Sequence, residues 1–495
     1  MAREVDSAIH AKLLPIVFGL GLLAVVTYAV RSLMWGGRMI PGVVACGVVV
    51  SGLVLFLDKN YWILPAALFA FHDVLPRIKF TGMELGALIL IATFFVRLAL
   101  RRERLLIPQF RPLLLTLPFM AWMMLVWGLH PTGMRIFGSS TFGGRFYFDV
   151  LLAFFSLVIL SVTCIDERDS KLLFWSFVAG IVLDVGLKLW LWDEENSIYG
   201  TEVHYKYNHL SYLTSLILCR FAPLELMLRP VLFPLFLILF GLTVFSGNRT
   251  SAARPAVAGL LYPFFVGRRR ASTVVIGVLG ALALAVLIIG HGSIWHLPYS
   301  IQRSLSFLPG KWERRLENYG FQDDFRSELR RIARDHIRAR PWFGDGGFAL
   351  DVSQIAWMGE DTFSNVIISH SIARNWHNVW LGMAADFGIP LSVSWALFTA
   401  GILWFGYGNR KKVAPRSWNE TMYMYFYVMI VVEFLNSFFN GGHTAHTAEQ
   451  IFVWTGLLLA VLNGAEGNTR SSQLSGDGSS PGKNRLVSSN GRFGT

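Results

Sequence analysis

The chain has 495 residues, of which 54% are hydrophobic, 14% aromatic and only 15% charged, and its mean hydropathy is +0.48. A soluble domain carries about 25% charged residues, so this composition excludes an ordinary soluble enzyme and sets apolar runs against lipid. The net charge of +12 is no argument for a nucleic-acid partner, because in a membrane protein it must first be divided between the two sides.

Apolar runs recur along most of the chain, long enough at 1.5 Å per residue to cross a hydrocarbon core of roughly 30 Å. The first, KLLPIVFGLGLLAVVTYAV, has a basic flank but no small-residue cleavage site, and further spans follow at once. It reads as a retained helix rather than a signal peptide. Spans are predicted at 12–30, 39–57, 61–75, 82–98, 112–129, 147–165, 171–191, 209–228, 231–246, 252–267, 272–290, 388–406, 420–438 and 449–463. The expected fold is an all-α polytopic helical bundle of about 12–14 spans. Cys46, Cys164 and Cys219 all fall inside these spans and read as packing residues.

Three connections hold the basic excess: Arg101, Arg102, Arg104 and Arg111; Arg268 to Arg270; and Arg410, Lys411, Lys412 and Arg416. All lie on one side, which by the positive-inside rule puts both termini in the cytoplasm. Four regions result: N-terminal transmembrane helices over 1–290, a periplasmic loop domain over 291–376, C-terminal transmembrane helices over 377–463 and a tail over 464–495. The tail is rich in Ser, Gly and Asn and is expected to be disordered. Within the loop, FRSELRRIARDHIRAR (325–340) has Phe325, Leu329, Ile332, Ala333 and Ile337 at helical spacing and stops at Pro341. Arg326, Arg330, Arg334 and Arg338 recur every fourth residue on its other face, as in a basic amphipathic helix held against a membrane surface. The following GDGG (344–347) lacks the Lys-Ser or Lys-Thr of a phosphate loop and reads as a turn.

Ionisable residues inside spans carry the most information, since each costs about 2.5–3.5 kcal/mol at the bilayer centre. Asp184 and Lys188 lie four apart on one helix, and Asp386 and Glu433 occur in later spans. They read either as internal ion pairs that fix helix packing or as the lining of a polar cavity open to the outside. The turn FSGNRTSAARPAVAGLL puts Arg249 and Arg254 at the same outer level, where arginines either snorkel to lipid phosphates or bind a substrate. Three sets of outer arginines thus converge: this turn, the stripe beginning at Arg326, and Arg374 in SHSIARNWHNVWLGMAADFG. The planar guanidinium suits phosphate, and the outside offers no ATP, so a lipid-linked phosphate or diphosphate is the natural anion. His377 is the titratable group in WHNVWL able to act as a base near neutral pH, the plainer alternative being a cap or packing residue. No Asp-x-Asp pair, metal-ligand cluster or Gly-x-Ser-x-Gly elbow occurs.

These pieces resemble the O-antigen ligase and polymerase superfamily of bacterial envelope proteins, over roughly residues 209–463. GNRTSA resembles that family's Ser-Arg-Gly turn, with Asn248 in the Ser place and Arg249 in the Arg place. FRSELRRIARDHIRARPWFGDGGF resembles its loop helix, led by Arg326 and closed by Pro341 and Gly344. HNVWLGMAADFGIPLSV resembles its His-Asn helix, through His377, Asn378 and Gly388. A tryptophan that often follows the loop arginine is missing here. The resemblance implies transfer of a glycan from undecaprenyl diphosphate to an acceptor glycan or glycolipid, such as a lipid A-core sugar, in the inner membrane, with neither metal nor nucleotide cofactor. Arg249, Arg326, Arg254 and Arg374 would hold the donor diphosphate, and His377 would deprotonate the acceptor hydroxyl with inversion at the anomeric carbon. Asn378 would orient the ring or the acceptor. Tyr205 and Tyr207, with Tyr199, His204 and His209, would stack on sugar faces unless they are simply interfacial aromatics. A polymerase joining lipid-linked repeat units fits the same residues. A lipid-linked oligosaccharide flippase fits less well, because neither an internal repeat nor a broken-helix pair is evident.

Overall fold

The computed structural model describes residues 60–70, 82–99, 110–130, 144–190, 207, 209–221, 223–246, 249–266, 278, 282, 285–298, 301–302, 305, 310–312, 320–346, 376, 378–439 and 444–477. These residues include helices α1 (Ile63–Phe69), α2 (Gly82–Ala99), α3 (Phe110–Leu129), α4 (Arg145–Ser161) and α5 (Glu167–Trp190). There follow α6 (Leu210–Arg220), α7 (Pro223–Met227), α8 (Leu232–Phe245) and α9 (Arg249–Val266). The loop helix is α10 (Gly320–Ala339), and the C-terminal set is α11 (Val379–Phe387), α12 (Ile389–Asn409), α13 (Trp418–Phe439) and α14 (Thr444–Asp477). No strand is formed among the described residues. This is what lipid requires, since a helix satisfies its own backbone hydrogen bonds where no water is present.

Among the described residues, five helices are long and apolar enough to cross a membrane: Gly82–Ala99, Pro112–Leu129, Ile389–Lys412, Trp418–Phe438 and His446–Glu466. Shorter apolar helices cover Phe146–Ser161, Leu210–Arg220 and Leu232–Phe245. The protein is therefore an all-α, multi-pass membrane protein. The predicted spans 12–30 and 39–57, most of 272–290, and Cys46 lie outside the described residues.

Helix α14 is the centre of the bundle: its spanning window is 94% buried, against 33% for those of α3 and α12. It packs chiefly on α4 and α13. Asn463 donates from Nδ2 to the carbonyls of Ser161 at 2.8 Å and Thr163 at 3.1 Å, satisfying orphan acceptors at the end of α4. Gly464 lies so close to the Ile165 carbonyl that a Cβ would collide with it. The backbone then stays helical to Asp477, past Gly464, where the sequence suggests a structureless tail. A helix already nucleated by a buried core propagates through polar residues at little cost per residue, and no proline interferes before Pro481. On α12, Ile389, Val393 and Leu397 are exposed at four-residue intervals, an apolar row that faces lipid. Cys219 is buried as expected, but Cys164 is exposed, because α4 ends at Ser161 and leaves it in the connection to α5.

Opposing helices give the direction of the site. Phe265 near the end of α9 packs on Tyr423 and Tyr427 near the start of α13, while Arg254 near the start of α9 meets Glu433 near the end of α13. The two helices are thus antiparallel, and the start of α9 shares one face of the bundle with the end of α13.

Candidate functional site

The candidate site lies at that face, where α9 and α11 both pack on α13. Its floor is a buried polar cluster joining α6, α9 and α13. Arg254 donates from one terminal nitrogen to Glu433 Oε1 at 3.1 Å and from the other to Ser211 Oγ at 3.2 Å. Its guanidinium carbon stands 4.2 Å from the centre of the Tyr212 ring, a cation–π contact. Asn436 Nδ2 donates to the other Glu433 oxygen at 3.3 Å. Arg254 is 8% exposed and Glu433 1%, so the charges neutralise each other inside the bundle. Beside them, His209 Nδ1 lies 3.0 Å from Asp184 Oδ2, both buried. Of the two readings of the ionisable residues in spans, internal pairing is what these side chains do. Asp184 pairs across helices with His209, and the Lys188 side chain lies outside the description. His209 is thereby withdrawn from the sugar-stacking role, and Arg254 has both terminal nitrogens engaged by protein groups before any anion arrives.

The rim lies above this floor. Arg249 is the first residue of α9, five residues before Arg254, and Phe438 lies five residues beyond Glu433 on α13. Each interval is about 7.5 Å of helix, so these backbone positions reach a similar height above the ion pair. At the α9 start, unpaired backbone N–H groups and the helix dipole favour an anion. The Arg249 side chain lies outside the description, as do Asn248, Tyr205, Arg374 and His377. Tyr207 is half-buried, and its carbonyl accepts the Leu210 N–H at 3.1 Å.

Although His377 is outside the described residues, both of its chain neighbours are inside and held. Asn378 is the N-cap of α11: its Oδ1 accepts the Leu381 N–H at 3.0 Å, and its Nδ2 donates to the Phe438 carbonyl at 3.1 Å. Trp380, on the first turn, donates to Ser437 Oγ at 2.8 Å and stacks on Phe438 with ring centres 5.0 Å apart. On the other side, Trp376 is 2% exposed and donates from Nε1 to both oxygens of Asp386, at 3.2 and 3.3 Å. Asp386 sits nine residues along from His377 in the sequence, and the fold brings it beneath Trp376.

Helix α10 packs on α11 through Leu329, Ala333 and Ile337, together with Trp376, Ala385 and Leu381. Its apolar face is therefore covered by protein rather than by a membrane surface, which corrects the amphipathic-anchor expectation. The arginines also separate into two kinds. Arg330, Arg334 and Arg338 are exposed, whereas Arg326 is half-buried, seven residues and so nearly two turns before Ala333 on the docked side.

The turn after α10 locks this helix to the bundle. Asp345 accepts from Arg340 at 3.1 Å and pairs with His336. Its N–H donates to Ala385 O at 3.2 Å, Gly346 N–H to Asp386 O at 2.7 Å and Ile389 N–H to Pro341 O at 2.8 Å. Gly388, between α11 and α12, has φ +88°, and a Cβ there would collide with the Trp342 carbonyl. Gly344, at φ +61°, backs equally closely on the Asp386 carbonyl. Both glycines are required by left-handed backbone at a close approach, and the GDGG segment opens as a turn, as its sequence suggests. Aromatic rings complete the joint: Phe343 stacks on Trp122 at 5.3 Å, Trp122 donates to the Phe387 carbonyl at 3.0 Å, and Tyr147 donates to Gly346 O at 3.0 Å. Trp122, Tyr147 and Trp376 carry no signal of their own in the sequence, because their importance arises from partners 10 to 265 residues away.

Among the described residues no three His, Cys, Asp or Glu side chains converge as metal ligands. No curated protein matches the chain. Residues 234–396 match the family model described as O-Antigen ligase, a stretch that contains the α9 turn, α10 and the 376–388 segment. Over those residues the chain is similar to the O-antigen ligase family, and its apolar helices are those of a multi-pass membrane protein.

Proposed function

We propose that this protein transfers a glycan from an undecaprenyl-diphosphate carrier to an acceptor glycan or glycolipid, such as lipid A-core, on the periplasmic side of the inner membrane. The observation that carries the reading is spatial. The family match spans three segments far apart in sequence; α10 packs on α11, the cap of α11 bonds to Phe438 on α13, and the start of α9 meets the same helix at Glu433. Arg249, at an anion-favouring helix start, and Arg326, on the docked face, are the donor-diphosphate ligands in this reading, with Arg374 as a further one. Arg254 acts from below, fixing α9 to α6 and α13 through Ser211 and Glu433. Asn378 orients rather than reacts, since both polar atoms of its side chain are used by the cap and by Phe438.

His377 takes the proton from the acceptor hydroxyl as that oxygen attacks the anomeric carbon. The glycosidic bond to the diphosphate breaks, the diphosphate leaves with the bonding electrons, and the new bond forms on the opposite face with inversion. An alcohol needs such a base, whereas a diphosphate leaves readily once its charge is neutralised by guanidinium groups. Removing a positioned base costs about 10² to 10⁴ in rate. His377→Ala is therefore expected to insert and bind donor normally while transferring almost nothing, and wild-type transfer falls as acid protonates the imidazole. A His377→Ala protein that keeps most of its rate refutes the base assignment. Ligase and polymerase share this chemistry and differ in acceptor: loss of a ligase leaves long lipid-linked polymer unattached, and loss of a polymerase leaves single repeat units.

A further inference from the structure

We propose that Asp386 is a positioning residue for glycan transfer, whose buried carboxylate grips the Trp376 indole and so fixes the chain at the residue before His377; this rests on the base reading above. A carboxylate 3% exposed at the outer end of a membrane bundle costs several kcal/mol unless it is paired, so its presence needs a reason. Both of its oxygens face one indole N–H, at 3.2 and 3.3 Å. Trp376 is in turn the plug of the α10–α11 joint: it packs with Ala333 and Ala385, and its ring centre lies 5.6 Å from that of His336. The Asp386 backbone holds the turn as well, accepting the Gly346 N–H at 2.7 Å. One residue thus ties α11 both to the loop helix and to the residue preceding His377. The residue following His377 is tied independently, by the Asn378 cap. Both chain neighbours of His377 are thus anchored to helices of the bundle. Positioning of that kind sets rate rather than affinity, and a misplacement of about 1 Å costs on the order of 10²-fold.

The test is a double-mutant cycle on the purified full-length protein, with undecaprenyl-diphosphate-linked oligosaccharide as donor and a lipid A-core acceptor. Asp386→Leu keeps volume and removes the acceptor atoms, Trp376→Phe keeps an aromatic plug and removes the donor, and Asp386→Asn keeps one acceptor oxygen. Asp386→Leu and Trp376→Phe are each expected to lower kcat by about 10- to 100-fold with donor KM little changed. The double variant should lose no more than the worse single, and Asp386→Asn should recover most of the rate. Losses that multiply in the double, a rise in KM at constant kcat, or an Asn variant as damaged as the Leu variant would each overturn the proposal. If Asp386→Leu does not fold, Trp376→Phe and Asp386→Asn decide alone: the first must lose kcat and the second must not. His377→Ala is measured alongside. Wild-type rates in the Asp386 and Trp376 variants with an inactive His377→Ala sink this inference only, whereas an active His377→Ala sinks the base reading.

Discussion

Removing the Glu433 carboxylate tests what holds the floor of the site together. Glu433→Leu leaves the Arg254 guanidinium in a site where it is 8% exposed, with the Ser211 hydroxyl at 3.2 Å and the Tyr212 ring at 4.2 Å as its remaining partners. Breaking a buried pair by deleting one member costs about 3–5 kcal/mol, mostly because the other charge is stranded. The Tyr212 cation–π contact and the Ser211 hydroxyl still partner the stranded guanidinium in the variant, so the expected loss lies near the lower end of that range. Deleting both charges, in Glu433→Leu with Arg254→Met, removes the stranded ion, and buried pairs replaced by apolar groups of similar volume are often neutral in stability. The assay is thermal unfolding of the detergent-purified protein, read as monodisperse fraction against temperature, for wild type, both single variants and the double. The singles should unfold at clearly lower temperature and the double should recover most of the difference. A double variant no more stable than Glu433→Leu would refute the account, since no stranded charge would then explain the single. Donor binding retained by the recovered double would place Arg254 in the scaffold and leave the diphosphate to Arg249 and Arg326.

Four further outcomes are expected. Gly388→Ala should destabilise by about 2–6 kcal/mol, adding left-handed backbone strain of about 1–3 to overpacking of about 1–3 against Trp342, and should speed protease cleavage near 341–346; an unchanged cleavage rate would contradict the close approach. Arg249→Lys and Arg326→Lys keep charge but lose the planar fork, so transfer should drop in both while Arg330→Lys, on the exposed face, transfers normally; equal rates in all three would reduce the first two to lipid anchors. Asn378→Ala should cost about 1 kcal/mol of α11 stability through the lost cap and lower transfer, an effect checked by whether Asn378→Asp, which can still cap, restores it. Reporter fusions near residues 300 and 470 should give opposite signals, placing the loop outside and the C-terminus in the cytoplasm; identical signals would overturn the site's orientation.

Much of this protein is legible in one dimension because lipid is a simple solvent. Runs such as 82–98, 112–129 and 420–438 must be helices wherever they lie in the chain, since an apolar medium leaves the backbone no other partner. The same holds for α10, whose apolar spacing and stop at Pro341 announce it, and for Gly388, whose place in the family pattern now has its cause in a φ of +88° against Trp342. What the sequence could not contain was pairing between residues far apart. Four equally spaced arginines on α10 look alike until the fold leaves Arg326 half-buried and Arg330, Arg334 and Arg338 exposed. Arg254 has the look of a phosphate ligand at the outer surface, and only the antiparallel contact of α9 with α13 engages it with Glu433, 179 residues away. Asp386 is one acid in an apolar run, and it gains meaning when the helix break at Gly388 and the turn at 341–346 fold it under Trp376. Local hydrogen bonding and hydropathy act over a few residues and so are written in the order of the chain; the neutralisation of a buried charge depends on which helix is its neighbour, and that is decided by packing alone.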